Sequence, residues 1–431
     1  MATATNIVVS SEVPLRHTRE YSLWTLLLLL FVWFTPTLRL PGDIPLRLDE
    51  LLIVGAGGLM LARLILRLRF SKSDSIFWVP LAMAASMLLS AILGTLKGAL
   101  TVGVKEYLDL IRPISFLVIY LAVRARSPDR VFASIRIAFR TGTVVLSICA
   151  LMQFLLLSPS SEGPLARFFL LYTDLAPEHA RAFFGLRPFA TFQTPTDFGY
   201  IMTVFLVAEL TLFPLHKWRY VLLALIGLVL SNTRTFLFSA PVLVLLYALL
   251  YAKNTKARIR LLGIGLVGVF VGMAILLYVA PIVNASFATN TIRTARSLTS
   301  DDFSQDESLA IRLQKLALVV YTWQHAPFFG VGSREMLGAA ADSEYVYTFN
   351  RYGLFGMIEL MSLYIAGLSV IRVLRKRWQH VYAFAILMLA VTFLYGFTQG
   401  ALINVRVGIM PMVVLGFVSS LARRERAQAN V

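Results

Sequence analysis

The chain has 431 residues, of which 58% are hydrophobic and 15% charged, with a mean hydropathy of +0.74 and a formal net charge of +17. A water-soluble domain is nearer half apolar and a quarter charged, so this composition excludes one and points to a polytopic, all-α membrane protein. A single cysteine (Cys149) and five scattered histidines exclude a disulfide framework and make a metal centre built on Cys or His unexpected.

A membrane span takes roughly 20 apolar residues. Breaking the chain at charge clusters and at Pro/Gly-rich stretches predicts about twelve spans. They lie near 21–38, 49–66, 76–96, 105–123, 131–157, 197–214, 218–233, 235–252, 261–281, 344–371, 381–398 and 406–422. Residues 1–431 thus form one integral-membrane domain. The polar run Ser231-Asn232-Thr233-Arg234-Thr235 divides what would otherwise be a single long span at 218–252. No small-residue cleavage site follows Leu26–Leu30, so the N-terminal apolar run reads as an uncleaved first span rather than a signal peptide.

Lys and Arg accumulate on the cytoplasmic side of membrane proteins. With the N-terminus and its Arg16 and Arg19 inside, every alternate connection carries a basic cluster. These are Arg63/Arg67/Arg69/Lys72, Arg124/Arg126/Arg130 continuing to Arg136/Arg140, Lys217/Arg219, Lys253/Lys256/Arg258/Arg260, Arg372/Arg375/Lys376/Arg377 and the tail Arg423/Arg424/Arg426. Both termini are therefore expected in the cytoplasm.

Basic residues remain on the other side: Arg167, Arg181, Arg187, Arg234, Arg293, Arg296, Arg312, Lys315, Arg334, Arg351 and Arg406. For any one of them, snorkelling or pairing with loop acids such as Asp301, Asp302, Asp306 and Glu307 is a sufficient account. For the set, an external anionic ligand explains more, because guanidinium binds phosphate in a bidentate way that lysine cannot.

Two external segments are long. The first, 158–196, holds an apolar stretch from Gly163 to Tyr172 and then Phe183-Phe184-Gly185-Leu186-Arg187-Pro188. The second, 282–343, is the large loop between spans 9 and 10. Within it Ser308 is placed to cap a surface helix whose Leu309, Leu313, Leu316 and Val320 share one face. A tight turn follows, Pro327-Phe328-Phe329-Gly330-Val331-Gly332. It lacks the strand and helix of a phosphate-binding glycine loop. Phe183, Phe184, Phe328 and Phe329 read as interfacial or lipid-facing side chains, with a groove for an apolar tail as the alternative.

Carboxylates and an arginine stand where span 10 enters the membrane: Asp342-Ser343-Glu344-Tyr345, then Arg351. Glu344 and Arg351, seven residues apart, lie nearly on one helix face and are placed to pair, while Asp342 points away and is placed to cap. Charged groups at this depth are costly unless paired or used, so they are functional candidates by default. Charges inside other spans, Glu106, Asp109, Arg112, Glu209 and Glu359, read as structural ties between helices.

These features together resemble the O-antigen ligase and O-antigen polymerase superfamily of bacterial integral-membrane glycosyltransferases. The resemblance rests on Arg187-Pro188-Phe189-Ala190-Thr191-Phe192 with Pro195 and Gly199, and on Ser231-Asn232-Thr233-Arg234. It rests further on Arg312 in the loop helix, the turn Pro327 to Gly332, and the span mouth leading to Gly353-x-x-Gly356. Where O-antigen ligases carry a His-Asn pair at that mouth, with the histidine regarded as catalytic, this chain has Asp342-Ser343. The aspartate, followed by Arg351-Tyr352-Gly353, looks more like the polymerases of O-antigen, capsule and exopolysaccharide, with ligase as the alternative.

The resemblance implies an enzyme of the inner membrane that works at the periplasmic face without metal or cofactor. Its implied partners are an undecaprenyl-pyrophosphate-linked oligosaccharide donor, a glycan acceptor and membrane lipid, with room for a chain-length regulator and none for nucleic acid. Negative charge builds on the departing pyrophosphate, which arginines stabilise, and the attacking hydroxyl needs a base. The catalytic candidates are Asp342, Glu344, Arg234 and Arg187; Arg312, Arg351, Arg334, Tyr345 and Arg406 make up the wider substrate-binding set. A transporter or flippase of the same lipid-linked sugars is the rival from another class. Transporters place polar groups on interrupted helices near the bilayer midplane, whereas these concentrate in external loops and span mouths.

Overall fold

Capping residues set the helix starts. Ser22 caps α1 (Leu23–Phe34) by accepting from the Thr25 amide, and Thr194 caps α7 (Pro195–Thr211) by accepting from the Asp197 amide, with Pro195 in the first helical position. The computed structural model describes residues 22–40, 44–47, 75–96, 104–173, 175, 177–213, 218–233, 242–243, 245–247, 259, 263, 319–330, 343–397 and 405–429. Besides α1 and α7 these form α2 (Ser75–Leu96), α3 (Val104–Arg124), α4 (Pro128–Leu156), the short α5 (Pro164–Leu170) and α6 (Pro177–Arg181), and α8 (Trp218–Ser231). The chain continues with α9 (Glu344–Val373), α10 (Gln379–Gly396) and α11 (Val405–Ala429), while residues 319–325 are also helical.

The long helices fall on the predicted spans at 21–38, 76–96, 105–123, 131–157, 197–214, 218–233, 344–371, 381–398 and 406–422. Those at 49–66, 235–252 and 261–281, and most of the large loop, lie wholly or largely outside the described residues. Among the described residues, four helical stretches are long and apolar enough to cross a membrane: Pro128–Leu156, Glu344–Val373, Gln379–Gly396 and Arg406–Gln428. Their outward faces carry Ile137, Ile148, Leu155, Ile358, Ile365 and Phe393 in exposed positions, an apolar belt suited to lipid and not to water.

Two local expectations are corrected. The first span stops early, at Phe34, because Pro36 holds Thr35 in extended geometry. Where the span was expected to run on to 38, the otherwise all-α chain forms a short antiparallel hairpin, β1 (Thr37–Leu40) against β2 (Ile44–Arg47), with Thr37 opposite Arg47. The break after 231 is as expected: α8 ends at Ser231, and Asn232 takes a left-handed conformation (φ 45°) suited to terminating a helix.

Helix α11 is the centre of the bundle. Its apolar stretch is 94% buried, and it packs against α1, α3, α4, α7, α9 and α10. Val407, Ile409, Met410, Val413, Val414, Phe417 and Leu421 fill the core around it. Helices meet closely where a residue is small: a Cβ at Gly416 would lie 2.8 Å from the Tyr120 carbonyl oxygen of α3, and one at Gly142 would lie 2.9 Å from the Phe205 ring. A buried bidentate pair, Arg140 to Glu209 (2.5 and 3.0 Å), ties α4 to α7, the structural role expected of Glu209.

The ends of the bundle differ. At one end Arg424 pairs with Asp129 (3.1 Å), and Arg377 (3.0 Å) and Trp378 Nε1 (2.8 Å) both donate to Glu425. These contacts gather the basic junctions 124–130 and 372–377 and the α11 tail. The opposite end brings together the C-terminal ends of α1 and α10, the hairpin, residues 157–173 and 177–194, and the N-terminal ends of α7, α9 and α11.

Candidate functional site

The loop bearing Arg187 is built on a buried glutamine. Gln153 Oε1, from α4, accepts from the amides of Phe189 (2.9 Å) and Ala190 (2.8 Å), and its Nε2 donates to the Ala190 carbonyl (3.2 Å). This holds Ala190 at φ 51°, a left-handed conformation that a residue with a side chain takes only under restraint. Phe184 stacks on Phe189 (5.8 Å) in a satellite core with Leu157, Ala166 and Phe169. Phe184 is fully buried there, so its reading as lipid-facing or groove-lining is corrected. Arg187, half-buried, has its guanidinium over the Phe183 ring (5.9 Å).

Arg406, at the start of α11, is 0% exposed. Its Nη1 donates to the carbonyls of Tyr172 (3.0 Å) and Thr191 (3.3 Å), and its Nη2 to the Thr35 carbonyl (2.7 Å) and Thr37 Oγ1 (3.1 Å). One guanidinium thereby joins the end of α1, the start of the hairpin and the loop that carries Arg187. Thr191 adds a further bond to the Trp33 carbonyl (2.7 Å).

Beyond that loop, Asp197 is buried in the first turn of α7 and accepts from the Tyr395 hydroxyl of α10. Tyr395 lies against Tyr200 (4.7 Å), whose hydroxyl bonds Thr392 (2.9 Å). Glu344, also buried, opens α9 beside this set, near enough to act electrostatically on Tyr200, Tyr345, Tyr364 and Tyr395. The mouth of α9 is fixed to the end of α10 by Ser343 Oγ donating to the Gly396 carbonyl (3.1 Å) and by the Tyr345 hydroxyl donating to the Phe393 carbonyl (2.7 Å). Ser343 occupies the N-cap position that the sequence suggested for Asp342. The result is two buried carboxylates, one on α7 and one on α9, among four tyrosines.

Two turns along α9, Arg351 is 4% exposed, hydrogen-bonded to the Tyr347 hydroxyl and held over the rings of Tyr347 (5.4 Å) and Tyr352 (5.5 Å). The helix breaks immediately after it, at Gly353 (φ 66°, ψ −157°), a conformation reserved for glycine. The helix is thus interrupted near its mouth, with Arg351 on the first segment.

Of the residues singled out by sequence, Glu344, Tyr345 and Arg351 share the first turns of α9, while Arg187 and Arg406 lie at the same end of the bundle. Asp342, Arg234, Arg312 and Arg334 lie outside the described residues. Sequence reasoning missed Asp197, Tyr395 and Gln153. Asp197 had a usable signal, a carboxylate in an otherwise apolar helix three residues after its Thr194 cap.

Residues 220–358 match the family model described as O-antigen ligase. The matched stretch runs from α8 to the first half of α9, and so takes in Glu344, Tyr345, Arg351 and the Gly353 break. No curated protein matches the chain.

Proposed function

We propose, from the premise that residues 220–358 are an O-antigen ligase family domain, that the chain is a membrane glycosyltransferase using a polyprenyl-pyrophosphate-linked glycan donor. The observation that carries this reading is the joint burial of Glu344 and Arg351 within the matched domain, a carboxylate and a guanidinium at the mouth of one broken helix. In the proposed reaction an acceptor hydroxyl attacks the anomeric carbon and the carbon–oxygen bond to pyrophosphate breaks. The hydroxyl proton passes to a carboxylate, Glu344 or Asp342, and the polyprenyl pyrophosphate departs as an anion. Arg187, Arg234 and Arg351 are the groups we assign to its growing charge, with Arg312, Arg334 and Tyr345 around the glycan. We assign Arg406 a structural role, because both its Nη atoms are engaged by the protein's own oxygens.

The basic end of the bundle faces the cytoplasm in this reading, by the positive-inside rule, and the carboxylate–tyrosine end faces the periplasm. Asp342-Ser343 in place of a His-Asn pair supports polymerisation of lipid-linked repeats into O-antigen, capsule or exopolysaccharide. The description of the matching family favours a second reading, ligation of the glycan to lipid A–core. The break in α9 keeps a third open, transport of the lipid-linked glycan. Purified protein in detergent, given a defined lipid-linked oligosaccharide, separates them because detergent leaves no compartments. Longer lipid-linked chains indicate polymerase, transfer only onto added lipid A–core indicates ligase, and unchanged glycan refutes both enzyme readings.

A further inference from the structure

We infer that Gly330 and Gly353 form an interlock between the external turn and α9 that positions Arg351. The inference rests on the proposed role of Arg351 at the leaving pyrophosphate.

The two glycines meet reciprocally. A Cβ on Gly330 (φ 74°) would overlap the backbone carbonyl of Arg351, and a Cβ on Gly353 (φ 66°) would overlap the backbone carbonyl of Phe328. Both are at positive φ and both lie backbone on backbone, so space and conformation each require glycine. The break at Gly353 turns two amides outward: Leu354 N donates to the Pro327 carbonyl (2.8 Å) and Phe355 N to the Phe328 carbonyl (3.3 Å). The turn thus caps the second half of α9 with its own backbone.

Other contacts bracket the same point. Thr322 Oγ1 donates to Asn350 Oδ1 (3.0 Å), with both side chains fully buried. Trp323 stacks near Phe349 (6.2 Å) and Phe329 packs on Phe355 (5.2 Å). Arg351 therefore sits between a hydrogen bond at 350 and a helix break at 353, both made by residues 322–330. The two glycine motifs of the sequence are one device, and what it holds still is the guanidinium.

The test is a kinetic and thermal cycle in detergent with the lipid-linked oligosaccharide donor. Gly330→Ala and Gly353→Ala should each lower kcat about tenfold with donor KM little changed, and the double variant should be no worse than the weaker single. Adding Arg351→Ala to Gly353→Ala should cost nothing more. Costs that multiply, or glycine variants with normal kcat when Arg351→Ala lowers it, overturn the positioning role. If Arg351→Ala itself leaves KM and kcat intact, the substrate role of Arg351 falls instead. The interlock is then still decided by melting temperature, where non-additive losses support it and additive losses overturn it. Should the alanine variants not fold, Thr322→Val is the milder probe: a lowered kcat with donor KM kept supports the device, and an unchanged kcat overturns it.

Discussion

Arg406→Met tests whether one guanidinium holds the hairpin end of the bundle together. It removes four hydrogen bonds, to Tyr172, Thr191, Thr35 and Thr37. Bonds to a charged donor contribute about 1.5–3 kcal/mol each, so the gross loss is about 6–12 kcal/mol. Methionine also removes the penalty of burying a charge, several kcal/mol, which leaves a net destabilisation of about 3–5 kcal/mol. Lysine keeps the charge but cannot fork to two pairs of acceptors, so Arg406→Lys should recover only part. The assay is thermal unfolding in detergent, read by a thiol-reactive dye at Cys149, the one cysteine of the chain, half-buried on α4. A fall of about 3–6 °C is expected for Arg406→Met in a chain of this length. A melting temperature unchanged within a degree or two would show that the four acceptors find other partners and that the residue is free for another role.

Further outcomes follow from the same geometry. Gln153→Leu leaves the amides of Phe189 and Ala190 without their acceptor and should cost about 2–4 kcal/mol, with a matching loss of turnover as Arg187 loses its support; unchanged turnover in the folded variant would detach that loop from function. Arg140→Met strands the buried Glu209 and should destabilise by about 3–5 kcal/mol, whereas Arg140→Met with Glu209→Leu should be near parental in the same melting assay. Asp197→Asn keeps shape and removes charge from the buried carboxylate set beside Glu344; it should lower kcat about tenfold or more with donor KM little changed, and normal kcat would leave Asp197 only as the acceptor that ties α7 to Tyr395. Arg234→Lys should impair turnover despite retaining charge, and near-normal activity would remove Arg234 from the leaving-group site.

Much of the fold was legible because lipid imposes one strong rule, that apolar runs become helices. That rule placed α4, α9 and α10 within a few residues, and α11 at its start. It also placed Glu344, Tyr345 and Arg351 together, since their spacing lies within one helix. The hairpin was missed because a span-length apolar run says little about where Pro36 ends it. Asp197 and Tyr395 stand 198 positions apart, and no periodicity within α7 or α10 reveals which faces will meet. The glycine motifs were visible singly; that Gly330 seats against Gly353 is a fact about two backbones in contact. Arg406 was legible as an arginine out of place, but sequence gives no means of telling an arginine that awaits an anion from one enclosed by carbonyls.

The central position of α11 bears on how the protein assembles. The ribosome makes α11 after every helix it touches, so the earlier segments enter the bilayer without the surface they will finally pack on. Until that last hydrophobic post arrives, their inward faces meet only lipid or one another, and the junction that holds Arg406 cannot close. Shortening the chain ahead of residue 405 should therefore leave an unconsolidated set of inserted helices, prone to quality-control proteolysis, and not a smaller working protein.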